Sequence, residues 1–147
     1  MAERVRRYRE RVADGSTVGS EMRAAVRFAA SRVPVAVVSG AARADIDLVL
    51  GASGLAGEVT AIVSAEDVRA GKPDPEGYLL ALERLGGGLD PADALVLEDS
   101  EAGVLAAKAA GMRCYALLGT VSAERLASAD RIVERIDTPL LELALER

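Results

Sequence analysis

Short apolar runs alternate with segments of helical periodicity along most of this chain. The runs predict strands at Val35–Val38, Val59–Val63, Ala94–Leu97, Arg113–Leu118 and, at a sheet edge, Arg131–Val133. The periodic segments predict helices at Ala2–Ala13, Glu21–Ala30, Arg43–Leu50, Glu76–Leu85, Glu101–Gly111, Ala123–Ala127 and Pro139–Leu145. Strands that alternate with helices at this spacing are typical of parallel βαβ units. We therefore predict an α/β fold, a doubly wound, Rossmann-like parallel sheet with helices on both faces.

Local signals define where two of these helices begin and which side they bury. Ser20 and Asp74 are residue types that favour the N-cap position, and each precedes a helical pattern. In the helix that follows Asp74, the spacing of Leu79, Leu82 and Leu85 predicts that these three side chains point inward.

The run Ala94–Leu97 ends abruptly in Glu98, Asp99 and Ser100. Open α/β sheets place their ligands at the carboxyl ends of strands. Two adjacent carboxylates repel one another there unless a cation lies between them, and oxygen-only ligands suit Mg²⁺. The alternative interpretation is an ordinary helix start, with Ser100 as the N-cap and Glu101 in the first turn.

Two further chain segments place polar groups after strands or before helices. Ser39 and Gly40 follow a short strand, and together a hydroxyl and an accessible amide can cradle a phosphate oxygen, although Ser-Gly is also a common turn. Lys72 lies in a loop that Pro73 and Pro75 stiffen, just before a helix. A lysine held in this way can neutralise a phosphate as a point charge. Together with the acid pair, these groups indicate a phosphoryl-transfer site without a nucleophile.

Composition narrows the functional classes. The 147 residues carry a formal net charge of −5, which argues against nucleic acid as a partner. The absence of histidine excludes His-dependent nucleophilic catalysis and His-ligated metal sites within this chain. Cys114 is the only cysteine, and no apolar run reaches membrane-spanning length, so we expect a cytoplasmic protein without a disulfide framework or a membrane partner.

The order and spacing of these polar segments resemble the haloacid dehalogenase-like (HAD) superfamily. Val37–Gly40 resembles the second motif of that superfamily, Gly71–Pro75 the third, and Glu98–Gly103 the fourth. The last two are similar to the forms found in the β-phosphoglucomutase-like phosphatases and mutases. The resemblance covers the chain from about Ser20 onward.

The resemblance implies roles for individual residues. Ser39 and Lys72 would bind the transferring phosphoryl group as catalytic residues, with Gly40 beside them. Asp99 would ligate Mg²⁺ directly, and Glu98 would help directly or through water. The implied activity is that of an Mg²⁺-dependent phosphatase or sugar-phosphate mutase, which acts on a small phosphorylated metabolite through an aspartyl-phosphate.

The chain also departs from the HAD pattern. The first motif of that superfamily, an apolar strand that ends in Asp-x-Asp, is not found here. Residues 1–19 resemble the end of a cap helix and its hinge, and residues 20–147 resemble the α/β core. The missing strand would lie centrally, between Val35–Val38 and Ala94–Leu97. We therefore expect these two strands to close onto each other or to leave a cavity, and we expect self-association through the open edges.

Two other functional classes compete with a HAD-like enzyme represented by an incomplete chain. One is a non-catalytic phosphate-binding or interaction module that kept the fold without the nucleophile. The other is a receiver-like signalling domain, in which the acid pair should follow the first strand. Here the acid pair comes late and the lysine precedes it, which disfavours the receiver interpretation.

Overall fold

A computed structural model describes residues 18–146 of the chain. The helix predicted at Ala2–Ala13 and most of the hinge predicted up to Gly19 lie outside the described residues, so the proposed division at residue 19 stays a prediction. Within residues 18–146, no helix has the length and apolar character needed to cross a bilayer.

Helices and strands alternate as the apolar pattern predicts. The strands are β1 (Ala36–Val38), β2 (Ala61–Val63), β3 (Leu95–Glu98), β4 (Arg113–Leu117) and β5 (Arg131–Val133). The helices are α1 (Ser20–Ala30), α2 (Arg43–Ala52), α3 (Glu76–Leu85), α4 (Glu101–Ala109) and α5 (Thr138–Ala144). The predicted helix at Ala123–Ala127 is a 3-10 helix, Ala123–Leu126. The predicted α/β class is confirmed.

All the strand pairs are parallel, but the strands form two groups. Strand β1 pairs with β2, so that Val37 lies beside Ile62. Strand β4 pairs with β3 on one side and with β5 on the other, which gives the order β3-β4-β5 and places β5 at an edge, as predicted. The two groups are separate because β1 and β3 do not pair with each other.

Small side chains build the core around β4. Cys114 and Ala116 on this strand are fully buried, and so are Val104 and Ala107 on α4, which packs against it. Only 3% of the residues are aromatic, so few large rings are available to fill the core. The core is instead filled by small side chains on a helix and a strand that pack closely together. The buried position of Cys114 fits a small core residue.

A groove of about 490 Å³ runs between β1 and β3, and we call it the inter-sheet groove. Its floor and walls include Val35–Val38, Ala94–Leu97, Val26, Ala81, Leu82 and Leu141. All the residues of β1 are only half-buried, although their apolar run predicted full burial. Of the two outcomes expected for these strands, the structure therefore shows the cavity.

Three local predictions differ from the structure. Leu79 is 43% exposed, so its inward placement was wrong; Tyr78 is buried instead, because the inward face of α3 runs through Tyr78, Ala81 and Leu82. Gly19, not Ser20, occupies the N-cap of α1, and it gives no side-chain cap.

The start of α3 is also shifted by one residue. Pro75 occupies its N-cap position, so the assignment of Asp74 to that position was wrong. The carboxylate of Asp74 nevertheless accepts a hydrogen bond from the backbone N–H of Glu76 at 2.9 Å, which is the interaction a capping aspartate supplies.

Candidate active site

Lys72 connects the ends of the two sheets. It lies in the loop before α3, where the Lys72–Pro73 peptide bond is cis. Its Nζ atom donates hydrogen bonds to the backbone carbonyl of Val38 at 3.0 Å and to Oε1 of Glu98 at 2.5 Å. Since Val38 ends β1 and Glu98 ends β3, the carboxyl ends of both strands meet at this ammonium group.

Glu98 is the most heavily hydrogen-bonded acid of this site. Besides Lys72, it accepts hydrogen bonds from the Tyr78 hydroxyl at 2.5 Å and from the Ser100 hydroxyl at 3.2 Å. Burial opposes ionisation of this carboxyl group, but the hydrogen bonds from Lys72 and Tyr78 outweigh it and hold the pKa of Glu98 below its ordinary value. Burial and the neighbouring charge of Glu98 raise the pKa of Tyr78, so its phenol remains a donor.

The first turn of α4 presses closely against Glu98. Ser100 is its N-cap, and the Ser100 hydroxyl accepts a hydrogen bond from the Gly103 N–H at 3.0 Å. A Cβ atom on Gly103 would overlap the carboxyl group of Glu98. Ser100 thus caps α4, as the alternative interpretation of this segment stated, and a larger residue at position 103 would force the Glu98 carboxylate to move.

Ser39 and Gly40 follow β1 directly, at the same end as the Lys72 contact with Val38. The Ser39 hydroxyl accepts a hydrogen bond from the Ala41 N–H at 3.1 Å, and the Ser39 N–H donates to the Val63 carbonyl at 3.0 Å. Gly40 is exposed and has open space around the position of a Cβ atom. The protein itself therefore leaves room for a ligand beside Gly40.

Asp99 has different surroundings from its neighbour Glu98. It is exposed, and its Oδ2 atom accepts a hydrogen bond from the Thr120 hydroxyl at 3.0 Å. The two adjacent carboxylates therefore have separate partners, since Glu98 binds Lys72. Among residues 18–146, no three acidic, cysteine or histidine side chains are grouped so that they could hold a metal ion. The assignment of Asp99 and Glu98 to Mg²⁺ stays a prediction.

Sequence reasoning missed two residues of this region, Tyr78 and Thr120. The helical phase of α3 carried the signal for Tyr78, because a tyrosine on an inward face needs a partner for its hydroxyl. Thr120 comes just after β4. Polar residues that follow parallel strands lie near the ligand site, so the reasoning used for Ser39 could also have identified Thr120.

Polar groups converge at the carboxyl ends of parallel strands in this α/β protein, which is where open α/β sheets place their ligands. The family model for haloacid dehalogenase-like hydrolases matches residues 3–111. The chain therefore belongs to this family, as its motifs indicated.

Several curated proteins similar to the chain are named as phosphatases. The chain is 39% identical to validoxylamine A 7'-phosphate phosphatase from Streptomyces hygroscopicus subsp. limoneus, over 80% of this chain and 54% of that protein. CbbY from Rhodobacter sphaeroides in complex with phosphate superposes with a TM-score of 0.74 at 28% identity, over 87% of this chain and 60% of CbbY.

A third comparison supports the fold alone. β-Phosphoglucomutase from Clostridium difficile superposes with a TM-score of 0.73 at 22% identity, over 92% of this chain and 60% of that protein. The chain thus spans about half to three fifths of the length of these three proteins.

Proposed function

We propose that this chain carries the phosphate- and metal-binding part of a HAD-type phosphohydrolase or phosphomutase site for a small phosphorylated metabolite. The observation that carries the proposal is the position of Lys72, whose ammonium group lies where β1 and β3 both end. Ser39 and Gly40 follow the first of these strands, and Asp99 follows the second.

Lys72 and Ser39 have the chemistry to bind a phosphoryl group. The Lys72 ammonium now pairs with Glu98, and a phosphate dianion close to it would compete for the same donor hydrogens. The Ser39 hydroxyl and the backbone N–H of Gly40 would donate to phosphate oxygens on the opposite side. Their role is to orient the phosphoryl group and to stabilise its developing charge.

The acids at the end of β3 fit Mg²⁺ by their donor type. Mg²⁺ takes hard oxygen ligands, usually one or two carboxylates with phosphate and water. Asp99 would hold the ion because its carboxylate is exposed, and Glu98 would contribute if Lys72 moved to the phosphate. When bound, Mg²⁺ would neutralise negative charge on the phosphoryl group.

The nucleophile of the proposed reaction is an aspartate that forms an aspartyl-phosphate. We assign this role to neither of the two acids of the site, Glu98 and Asp99. Glu98 is committed to Lys72, Tyr78 and Ser100, and Asp99 is reserved for the metal ion. The chain alone is therefore expected not to turn over phosphate esters.

A non-catalytic phosphate-binding module is the second candidate. One observation favours it: the Lys72–Glu98 pair compensates both charges within the protein, without a reaction partner. Such a module and the incomplete enzyme both predict phosphate binding, and they differ in turnover.

The test combines binding and turnover on three proteins. Phosphate titrations followed by NMR, with Mg²⁺ present, should give shifts at Ser39, Gly40 and Asp99 in the wild type. Lys72→Ala should weaken this binding, whereas Lys108→Ala, which alters the other lysine of the chain, should not. Equal binding by wild type and Lys72→Ala would place the site elsewhere.

Turnover of p-nitrophenyl phosphate and sugar phosphates is measured on the same three proteins and on Asp99→Asn. We expect no rate typical of an enzyme, because removal of a nucleophile costs orders of magnitude. A fast rate that Asp99→Asn abolishes would show that the chain contains its own nucleophile.

A further inference from the structure

The loop after β4 brings a threonine hydroxyl to Asp99. Strand β4 ends at Leu117, and the N–H of the next residue, Leu118, donates a hydrogen bond to the Val133 carbonyl at 2.8 Å. This bond anchors the start of the loop to β5. Gly119 then has a φ of 131°, which residues with a side chain rarely adopt, so glycine lets the chain change direction just before Thr120.

The chain is also anchored on the other side of Thr120. Val121 packs against the buried cluster around β4, and the 3-10 helix Ala123–Leu126 follows, with the Leu126 side chain fully buried. The Thr120 side chain itself is exposed. Because both of its flanks are attached to the core, the fold determines where the Thr120 hydroxyl lies.

The hydroxyl contacts one oxygen atom of the Asp99 carboxylate. Oγ1 of Thr120 donates a hydrogen bond to Oδ2 of Asp99 at 3.0 Å, which joins the carboxyl ends of the neighbouring strands β3 and β4. Within the part of the chain that the structure describes, Oδ1 of Asp99 accepts no hydrogen bond. One oxygen atom is therefore held by the protein, and the other is available to a ligand.

The contact between Thr120 and Asp99 has more effect on orientation than on stability. Both side chains are exposed, so their hydrogen bond replaces bonds to water and contributes little to the free energy of folding. It does restrict rotation of the Asp99 side chain. Carboxylates that ligate metal ions are commonly held by such outer hydrogen bonds, and loss of the outer partner weakens metal binding.

We propose that Thr120 is a positioning residue for Mg²⁺, whose hydroxyl holds Oδ2 of Asp99 and so orients Oδ1 before the ion binds. A ligand that is already oriented loses less conformational freedom on binding. The effect should be larger for Mg²⁺ than for Ca²⁺, because Mg²⁺ demands near-ideal octahedral geometry whereas Ca²⁺ accepts flexible coordination. This inference rests on the proposed function, in which Asp99 ligates Mg²⁺.

The test compares two substitutions of Thr120 in the whole chain. Thr120→Val keeps the shape of the side chain and removes the hydroxyl, whereas Thr120→Ser keeps the hydroxyl. Mg²⁺ is titrated at constant ionic strength, and binding is followed by NMR at the amides of Asp99 and Ser100. We expect Thr120→Val to bind Mg²⁺ about tenfold more weakly than the wild type, and we expect Thr120→Ser to bind it nearly as the wild type does.

Two controls separate orientation of Asp99 from a general change in the protein. Thr60→Val makes the same substitution at an exposed threonine that precedes β2, at the opposite end of the strands, and it should leave Mg²⁺ binding unchanged. A Ca²⁺ titration of the wild type and Thr120→Val should show a smaller loss than the Mg²⁺ titration. The urea midpoints of all the variants should coincide with that of the wild type.

Four results would overturn the proposal. These are equal Mg²⁺ affinities of the wild type and Thr120→Val, a loss in Thr120→Ser as large as that in Thr120→Val, equal losses for Mg²⁺ and Ca²⁺, and no saturable Mg²⁺ binding by the wild type. Any of them would mean that the hydroxyl does not orient Asp99 for the ion.

A phosphate titration without Mg²⁺, followed at Ser39, tests the proposed function separately. If the phosphate shifts depend on Lys72 while Thr120→Val binds Mg²⁺ as the wild type does, the role of Thr120 is wrong and the phosphate site stands. If the phosphate shifts do not depend on Lys72, the proposed function is wrong, whatever the Mg²⁺ titrations give.

Discussion

Strands β4 and β1 are both mainly apolar but have very different surroundings. Strand β4 has a neighbour on each side, and Cys114 and Ala116 are fully buried. Strand β1 has β2 on one side and the inter-sheet groove on the other, and its residues are half-buried. A continuous apolar run thus encodes the burial that a strand requires, whereas its actual burial depends on whether a neighbouring strand is present.

The largest effect should come from a matched pair of leucine truncations. Leu126 is fully buried against the β4 core, whereas Leu97 is half-buried and lines the groove. Leu126→Ala should lower the free energy of unfolding by about 2–5 kcal/mol, because it leaves a cavity in a packed core. Leu97→Ala should cost less than about 2 kcal/mol, because it only widens an existing groove.

Urea unfolding of both variants measures these costs. The m-value serves as the control, since it must stay constant for the comparison to be valid. Equal losses for Leu97→Ala and Leu126→Ala would show that the groove side is packed as tightly as the β4 side in solution.

The element pattern and the family motifs could be predicted because each depends on local sequence. The alternation of apolar runs and helices defined the α/β class, and Ser100 capped its helix as its type and position indicated. The motifs at Ser39, Lys72 and Glu98 could also be placed at the same end of the sheets, because the carboxyl ends of parallel strands lie on the same side.

The partners within the site could not be predicted in the same way. The contact of Lys72 with Glu98 depends on side-chain direction, which spacing alone does not specify. The apolar pattern also assigned Leu79 to the inside of α3, because leucine spacing does not distinguish two helical phases that differ by one residue. Tyr78 took that position because its ring packs in the core and its hydroxyl reaches Glu98.

A matched pair of glycine substitutions should give the next largest effect. Gly103→Ala introduces a Cβ atom that clashes with Glu98, where the packed sheet meets the Lys72 site, so we expect a loss of about 1–3 kcal/mol. Gly51→Ala in α2 places its Cβ atom in open space and should stabilise the protein by about 0.4–1 kcal/mol.

Thermal unfolding of both glycine variants shows whether each substitution lowers or raises the stability of the protein. The double variant Gly103→Ala/Glu98→Ala provides a further control, because removal of the Glu98 carboxylate relieves the clash. If Gly103→Ala stabilised the protein as Gly51→Ala does, the close approach of α4 to Glu98 would be absent in solution.

The smallest effect should be a pH-dependent loss of stability at the junction of the two sheets. The folded-state pKa of Glu98 is below the ordinary carboxyl value of 4.5. The unfolded state therefore binds the proton more readily, and stability rises with pH in this range. The contribution of Glu98 is complete above about pH 4.5 and declines as the pH falls through the lowered pKa.

Asp67 and Asp130 also have lowered pKa values, so the wild-type profile alone cannot isolate Glu98. Glu98→Gln keeps the size of the side chain and removes its titration, so its unfolding free energy should vary less with pH than that of the wild type. Urea unfolding from pH 3 to pH 7 measures the difference between the two proteins. Parallel profiles would mean that Glu98 does not titrate with the folding transition, and the hydrogen bonds from Lys72 and Tyr78 would then not hold the two sheet ends together in solution.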